Sequence, residues 1–132
     1  HRHDFTIALA DIDRFKQIND RHSHAKGDAV LKRVARVLKA QCRETDMIAR
    51  YGGEEFLLCF PDTDSTEAMR LCEKLRAAIE MQDWSFVADG VQVTLSFGLA
   101  ESFSDFRRKT ILSAADSRLY EAKHSGRNRV VA

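Results

Sequence analysis

Charge of one sign is what this sequence most lacks. Lysine and arginine total 21 against 20 aspartates and glutamates, a formal net charge of +1 over 132 residues. With so balanced a surface, no overall field draws the chain to nucleic acid or to a membrane, and binding must come from local constellations. One tryptophan and two tyrosines are too few to interleave with basic residues in a nucleic-acid-binding face. Cysteine is scarce and odd in number. Cys42, Cys59 and Cys72 lack the close paired spacing of a zinc site and cannot close a disulfide framework, so a reducing cytoplasm is the expected compartment. No uncharged apolar run approaches the roughly 20 residues needed to span a bilayer, and no charged-then-apolar leader opens the chain; no membrane contact is expected from this segment. An initiator methionine is missing too. His1 stands just before an apolar run, which leads us to expect a segment of a longer protein.

What is present fits one domain, residues 1–132, with its own core: 44% of the chain is hydrophobic. Phe5 to Ile12 reads as a largely apolar strand ending in two carboxylates, Asp11 and Asp13. Phe15 to Arg21 has the pattern of a short helix. A longer one is expected from Asp28, as N-cap, to about Gln41, with Leu31, Val34, Ala35 and Leu38 facing inward. Met47 to Tyr51 and Glu54 to Phe60 flank Gly52-Gly53, the pattern of a tight hairpin with a two-residue turn. Asp64 with Glu67 three residues on resembles a capping box, and Ala68, Leu71, Cys72, Leu75 and Ile79 recur at helical spacing up to Met81. Ser85 to Ala88 and Val91 to Ala100 flank Asp89-Gly90, a strong turn dipeptide, and predict a further antiparallel pair. Thr110 opens a last helix, Gly126 is its expected C-cap, and Arg129 to Ala132 closes the chain as a strand. Strands and helices mixed with hairpins make the class α+β, with a mostly antiparallel central sheet flanked by helices.

The chemistry lies in the acids. Asp11 and Asp13 sit two apart at a strand end, so both can point to one face, and the hairpin tip adds Glu54 and Glu55. If the hairpin pairs beside the first strand, these carboxylates converge. Gathered carboxylates repel one another, and a hard cation such as Mg²⁺, which takes oxygen ligands and bridges substrate phosphates, relieves the repulsion. Two-metal nucleotidyl transfer sites are built in this way. Taken singly, a strand-end aspartate reads more readily as a turn former, and a glutamate after Gly-Gly as a solvated hairpin residue; it is the combination that points to a site.

The combination has a counterpart. Arg50-Tyr51-Gly52-Gly53-Glu54-Glu55-Phe56 matches the signature of the GGDEF family in its variant with glutamate at the third position. Asp11-Ile12-Asp13-Arg14-Phe15-Lys16-Gln17-Ile18-Asn19-Asp20, then His24 and Gly27-Asp28, resemble the family's first conserved stretch. Thr94-Leu95-Ser96-Phe97-Gly98, Ala115-Asp116, Leu119-Tyr120, Ala122-Lys123 and Gly126-Arg127-Asn128 continue the likeness to the end of the chain. Ser23 departs from it, standing where the family usually has glycine before the histidine. The helix that usually precedes the family's first strand is missing from this chain.

The resemblance implies a fold like the nucleotidyl cyclase and polymerase palm (ferredoxin-like) core, and a diguanylate cyclase joining two GTP into cyclic di-GMP and two pyrophosphates. It implies two Mg²⁺ per active site, with Mn²⁺ as an alternative ion, held by Asp11, the Ile12 carbonyl and Glu54, with Glu55 beside them. Glu54 is the candidate base for the 3′-hydroxyl proton, and a metal-bound hydroxide or water is the alternative. Lys16 and the backbone amides of Phe15 and Lys16 are expected to meet the phosphates, and Lys123 and Arg127 the terminal ones. Asn19, Asp28 and His24 are expected to read guanine, whose ring N–H and exocyclic amine suit acceptors. Arg43, Asp46 and Arg70 resemble the family's inhibitory site for its own product. One site holds one GTP, so turnover requires a homodimer whose two copies face each other. The alternative is a catalytically silent GGDEF domain acting as a GTP or cyclic di-GMP receptor.

Overall fold

The structure, a computed structural model, describes residues 4–102 and 108–132. Its centre is strand β1, Phe5–Ile12, buried over nearly its whole length. A strand alternates its side chains between two faces. Ala8, Ala10 and Ile12 therefore enter one core cluster, and Ile7 and Leu9 the other. Both faces are apolar because both are covered.

The remaining elements are α1 (Phe15–His22), α2 (His24–Gln41), β2 (Met47–Arg50), β3 (Glu55–Pro61), α3 (Ser65–Glu80), β4 (Leu95–Glu101), α4 (Arg108–His124) and β5 (Val130–Val131). The sheet runs β2-β3-β1-β4-β5. All neighbours are antiparallel except β4 and β5. This is the expected α+β class with a mostly antiparallel sheet flanked by helices. Val30, Val34 and Leu38 of α2 and Cys72, Leu75 and Ile79 of α3 pack on the face that holds Phe56, Leu58, Phe60 and Phe97. Ile111, Ala115 and Leu119 of α4 cover the other. Gly98 permits that second contact, since a Cβ there would lie 2.2 Å from the Ala115 carbonyl oxygen and the Leu119 nitrogen.

Three local expectations are corrected. Helix α2 begins at His24, and its N-cap is Ser23, whose side chain accepts from the Lys26 N–H at 3.2 Å; Asp28 lies inside the helix. Ser23 has φ 122 and ψ 159, a region that suits glycine. The hairpin turn spans four residues, 51–54, because the Tyr51 and Gly52 N–H groups both donate to the Glu55 carbonyl, at 2.8 and 3.3 Å. The pair expected around Asp89-Gly90 does not form. Gly90 does turn the chain at φ 78, but the preceding stretch coils instead, burying Trp84 and Val87 in the core, with Trp84 Nε1 donating to the Ile79 carbonyl at 3.0 Å. Both edges of β4 are already taken, by β1 and β5. By contrast, Asp64 caps α3 as read, accepting from the Glu67 N–H at 2.9 Å.

Candidate active site

Pairing β1 with β3 carries the acids together. Asp11 stands opposite Glu55 in the register, and the Ile12 N–H donates to the Glu54 carbonyl at 3.2 Å, so the acidic turn lies beside the end of the central strand. Gly52 gives the turn room for its own side chain: a Cβ there would lie 3.2 Å from Glu55 Oε2. Arg50 Nη2 closes the turn by donating to the Gly53 carbonyl at 2.6 Å.

Asp11 is buried, and its carboxyl is pushed up to about 6, first by burial and further by Glu54 and Glu55; the Lys123 ammonium opposes the rise. Lys123 Nζ lies 2.6 Å from Asp11 Oδ2, so α4 delivers a cation to the strand end. Even with that lysine in place the carboxyl stays high, because burial outweighs the ion pair. The donors at the strand end are hard oxygens, which suit a divalent ion such as Mg²⁺. Among the described residues no three acidic, histidine or cysteine side chains form a cluster able to hold an ion as they stand.

Asp13 does not join this group. Its Oδ1 accepts from Ser96 Oγ at 2.6 Å, and its Oδ2 accepts from Thr94 Oγ1 at 2.7 Å and the Asn128 N–H at 3.0 Å. The carboxylate ties the end of β1 to the start of β4 and to the turn after α4. That turn is further fixed through the Asn128 side chain, which accepts from Arg76 Nη1 at 2.8 Å and donates to Glu80 at 2.6 Å. Sequence reading placed Asp13 among the converging acids, and nothing local in the chain signalled partners drawn from so far along it.

Helix α1 starts directly after Asp13. Arg14 takes φ 55 and ψ 33 and offers no side-chain cap, so the first-turn amides of Phe15 and Lys16 keep donors free for an anion. Phe15 is buried; Lys16 is exposed. Arg127 follows α4 in the left-handed region, φ 62, its N–H donating to the Ala122 carbonyl at 2.9 Å.

Asn19 faces α2. Its Oδ1 is buried without a hydrogen-bond partner, and a Cβ on Gly27 would come within 1.8 Å of it. Asn19 can therefore approach α2 this closely only because residue 27 has no side chain, and Asp28, the next residue on α2, is exposed. His24 is exposed at the first turn of α2.

Arg43 and Asp46 form a closed pair away from these groups. Arg43 Nε and Nη2 donate to Asp46 at 3.1 and 2.8 Å, Nη2 also donates to Thr63 Oγ1 at 2.7 Å, and the Arg43 N–H donates to Asp46 Oδ2 at 2.8 Å. The Asp46 hydrogen bond raises the guanidinium pKa, and Glu67 adds to it. Glu67 also lies 3.7 Å from Arg70, which sets Arg43 and Arg70 around a shared acid. Cys42 sits beside the pair, its thiol pushed up to about 11 chiefly by burial, which leaves it a poor nucleophile.

Comparison with known proteins places this geometry in company. The family model described as "Diguanylate cyclase, GGDEF domain" matches residues 1–129. Diguanylate cyclase A of Treponema denticola is 41% identical over 126 residues, 95% of this chain and 34% of that protein. Diguanylate cyclase DgcP of Pseudomonas aeruginosa is 39% identical over 127 residues, 96% of this chain and 19% of its own length. The chain thus spans about a third or less of these curated relatives. The crystal structure of the GGDEF domain of DgcB from Caulobacter crescentus in complex with c-di-GMP superposes with a TM-score of 0.90 at 34% identity, covering 98% of this chain and 78% of that one.

Proposed function

The chain belongs to the GGDEF family of diguanylate cyclase domains, and on that premise we propose that it condenses two GTP into cyclic di-GMP and two pyrophosphates, two facing copies each supplying one half-site. The observation that carries the reading is the buried Asp11 carboxylate at the end of β1, set opposite Glu55 beside the Glu54-Glu55 turn. Asp11, the Ile12 carbonyl and Glu54 would hold two Mg²⁺, or Mn²⁺, with Glu55 supporting them. When bound, the ions supply Lewis-acid stabilisation of the attacking and leaving oxygens.

The chain's own groups do the rest. The 3′-oxygen of one GTP forms a bond to the α-phosphorus of the other as the bond to the β-phosphate oxygen breaks. The hydroxyl proton passes to Glu54 or to solvent, and pyrophosphate carries away the leaving electron pair. Lys16 and the Phe15 and Lys16 amides stabilise charge on the phosphates. Lys123, which reaches the Asp11 end of the site, would join Arg127 on the terminal phosphates. Asn19 offers its unmet oxygen to guanine, Asp28 accepts from the ring N–H and amine, and His24 lines the same end. Arg43, Asp46 and Arg70 form the inhibitory site, where cyclic di-GMP feeds back on its own synthesis.

The test is Glu54→Gln in a chain fused to a dimerising partner. The change keeps size and removes a ligand charge, so cyclic di-GMP formation falls at least a hundredfold while the circular dichroism spectrum and thermal midpoint are kept. Full activity in the variant removes Glu54 from the site. GTP binding without turnover in the wild type would leave the receptor reading in its place.

A further inference from the structure

A cleft of about 510 Å³ lies on the side of α1 away from α2, between that helix, residues 89–94 and the turn after α4. Arg14, Arg21 and Arg127 line it. Among the described residues none of these three guanidiniums has a carboxylate partner, whereas Arg43 and Arg76 are held by theirs. Two acids share the walls. Asp13 has both oxygens taken up by Thr94, Ser96 and Asn128, and Asp89 is exposed. Gln17 and Gln92 add amide donors. Three forked cations and two amides around one cleft suit a compact ligand with many anionic oxygens, as phosphates have.

The backbone holds this lining in place. Arg14, Arg127 and Asn128 have φ of 55, 62 and 48, left-handed conformations that persist in non-glycine residues only where the surroundings impose them. At the turn after α4 the Asp13 carboxylate and the Arg76–Asn128–Glu80 bonds supply that constraint.

Arg127 is the link to the half-site, and this step rests on the function proposed above. When the bond between the α-phosphorus and its bridging oxygen breaks, the free fragment is the two distal phosphates, already at Arg127. Arg14 and Arg21 extend positive charge outward from there. We propose that this cleft binds inorganic pyrophosphate, receiving it as it separates from the reacting phosphorus, and that Arg21 is a principal contact.

The experiment is calorimetric titration of the chain with inorganic pyrophosphate in EDTA, which removes the metal sites from the reading. Wild type should bind one equivalent, Arg21→Gln should bind at least tenfold more weakly, and Lys32→Gln, an exposed change on α2, should match wild type, with thermal midpoints alike. Equal affinity in wild type and Arg21→Gln, or no binding by wild type at millimolar pyrophosphate, overturns the site. The two readings separate. Turnover of GTP together with Arg21-insensitive pyrophosphate binding removes the cleft and keeps the cyclase; Arg21-dependent binding in a dimerised chain that makes no cyclic di-GMP keeps the anion site and removes the cyclase.

Discussion

Asp11 and Asp13 leave the same strand end two residues apart, and their surroundings give them different work. Asp13 spends its oxygens on three donors, while Asp11 is left with one lysine against burial and two neighbouring glutamates. The raised carboxyl of Asp11 has a stability consequence. Between its ordinary value of 3.8 and about 6, the native state holds a proton that the unfolded chain has released, so this residue lowers stability as pH rises through that window. At about 1.4 kcal/mol per pKa unit, the deficit approaches about 3 kcal/mol by neutral pH. Asp11→Asn in EDTA should therefore be more stable than wild type by about 1–3 kcal/mol near pH 7, and the gain should vanish near pH 4. Urea unfolding at the two pH values checks this; a variant less stable at pH 7 would mean that the Lys123 pair outweighs burial.

At the scale of elements, the join between α1 and α2 sets the proposed guanine end. Ser23 holds φ 122 there, at a cost of about 1–3 kcal/mol for a residue with a Cβ. Glycine relieves the strain and gives up only a few tenths of a kcal/mol of capping, though it adds freedom to the unfolded chain. Ser23→Gly should raise stability by about 1 kcal/mol in denaturant unfolding; a loss would show that the Ser23 cap matters more than the strain. Gly27→Ala tests that close approach of Asn19 to α2. Its Cβ would displace the Asn19 carboxamide, a flexible group, so the thermal midpoint should change little while GTP affinity falls about tenfold in titration calorimetry. Unchanged affinity would remove Asn19 from base recognition. These elements also show where local signals mislead. Asp28 looks like an N-cap, yet the helix starts four residues earlier because Ser23 reaches the Lys26 amide. Asp89-Gly90 does turn, but a hairpin needs two strands with free edges, and Trp84 and Val87 are drawn into the core first.

For the whole molecule, the sheet order puts β1 between β3 and β4, so residues from distant parts of the chain meet at one end of one strand. The apolar run of β1, the helical spacing of α3 and the signature hairpin were legible from sequence because each carries its own pattern. The candidate site was read as residue identities, from the signature and its flanking stretches. Pairings across the chain were not, since neither the Lys123 contact with Asp11 nor the Asn128 contact with Asp13 leaves a mark on spacing. Nor was the arginine-lined cleft, whose walls come from three separate segments. No helix among the described residues is long and apolar enough to cross a membrane. On the function proposed above, a half-site holding one GTP would not close the ring alone, which makes concentration the decisive variable. The most direct measurement is cyclic di-GMP formation from GTP with Mg²⁺ at several concentrations of the chain, alone and fused to a dimerising partner. The account predicts a rate that rises faster than in proportion to protein for the chain alone and linearly for the fusion; no cyclic di-GMP from either form would contradict it.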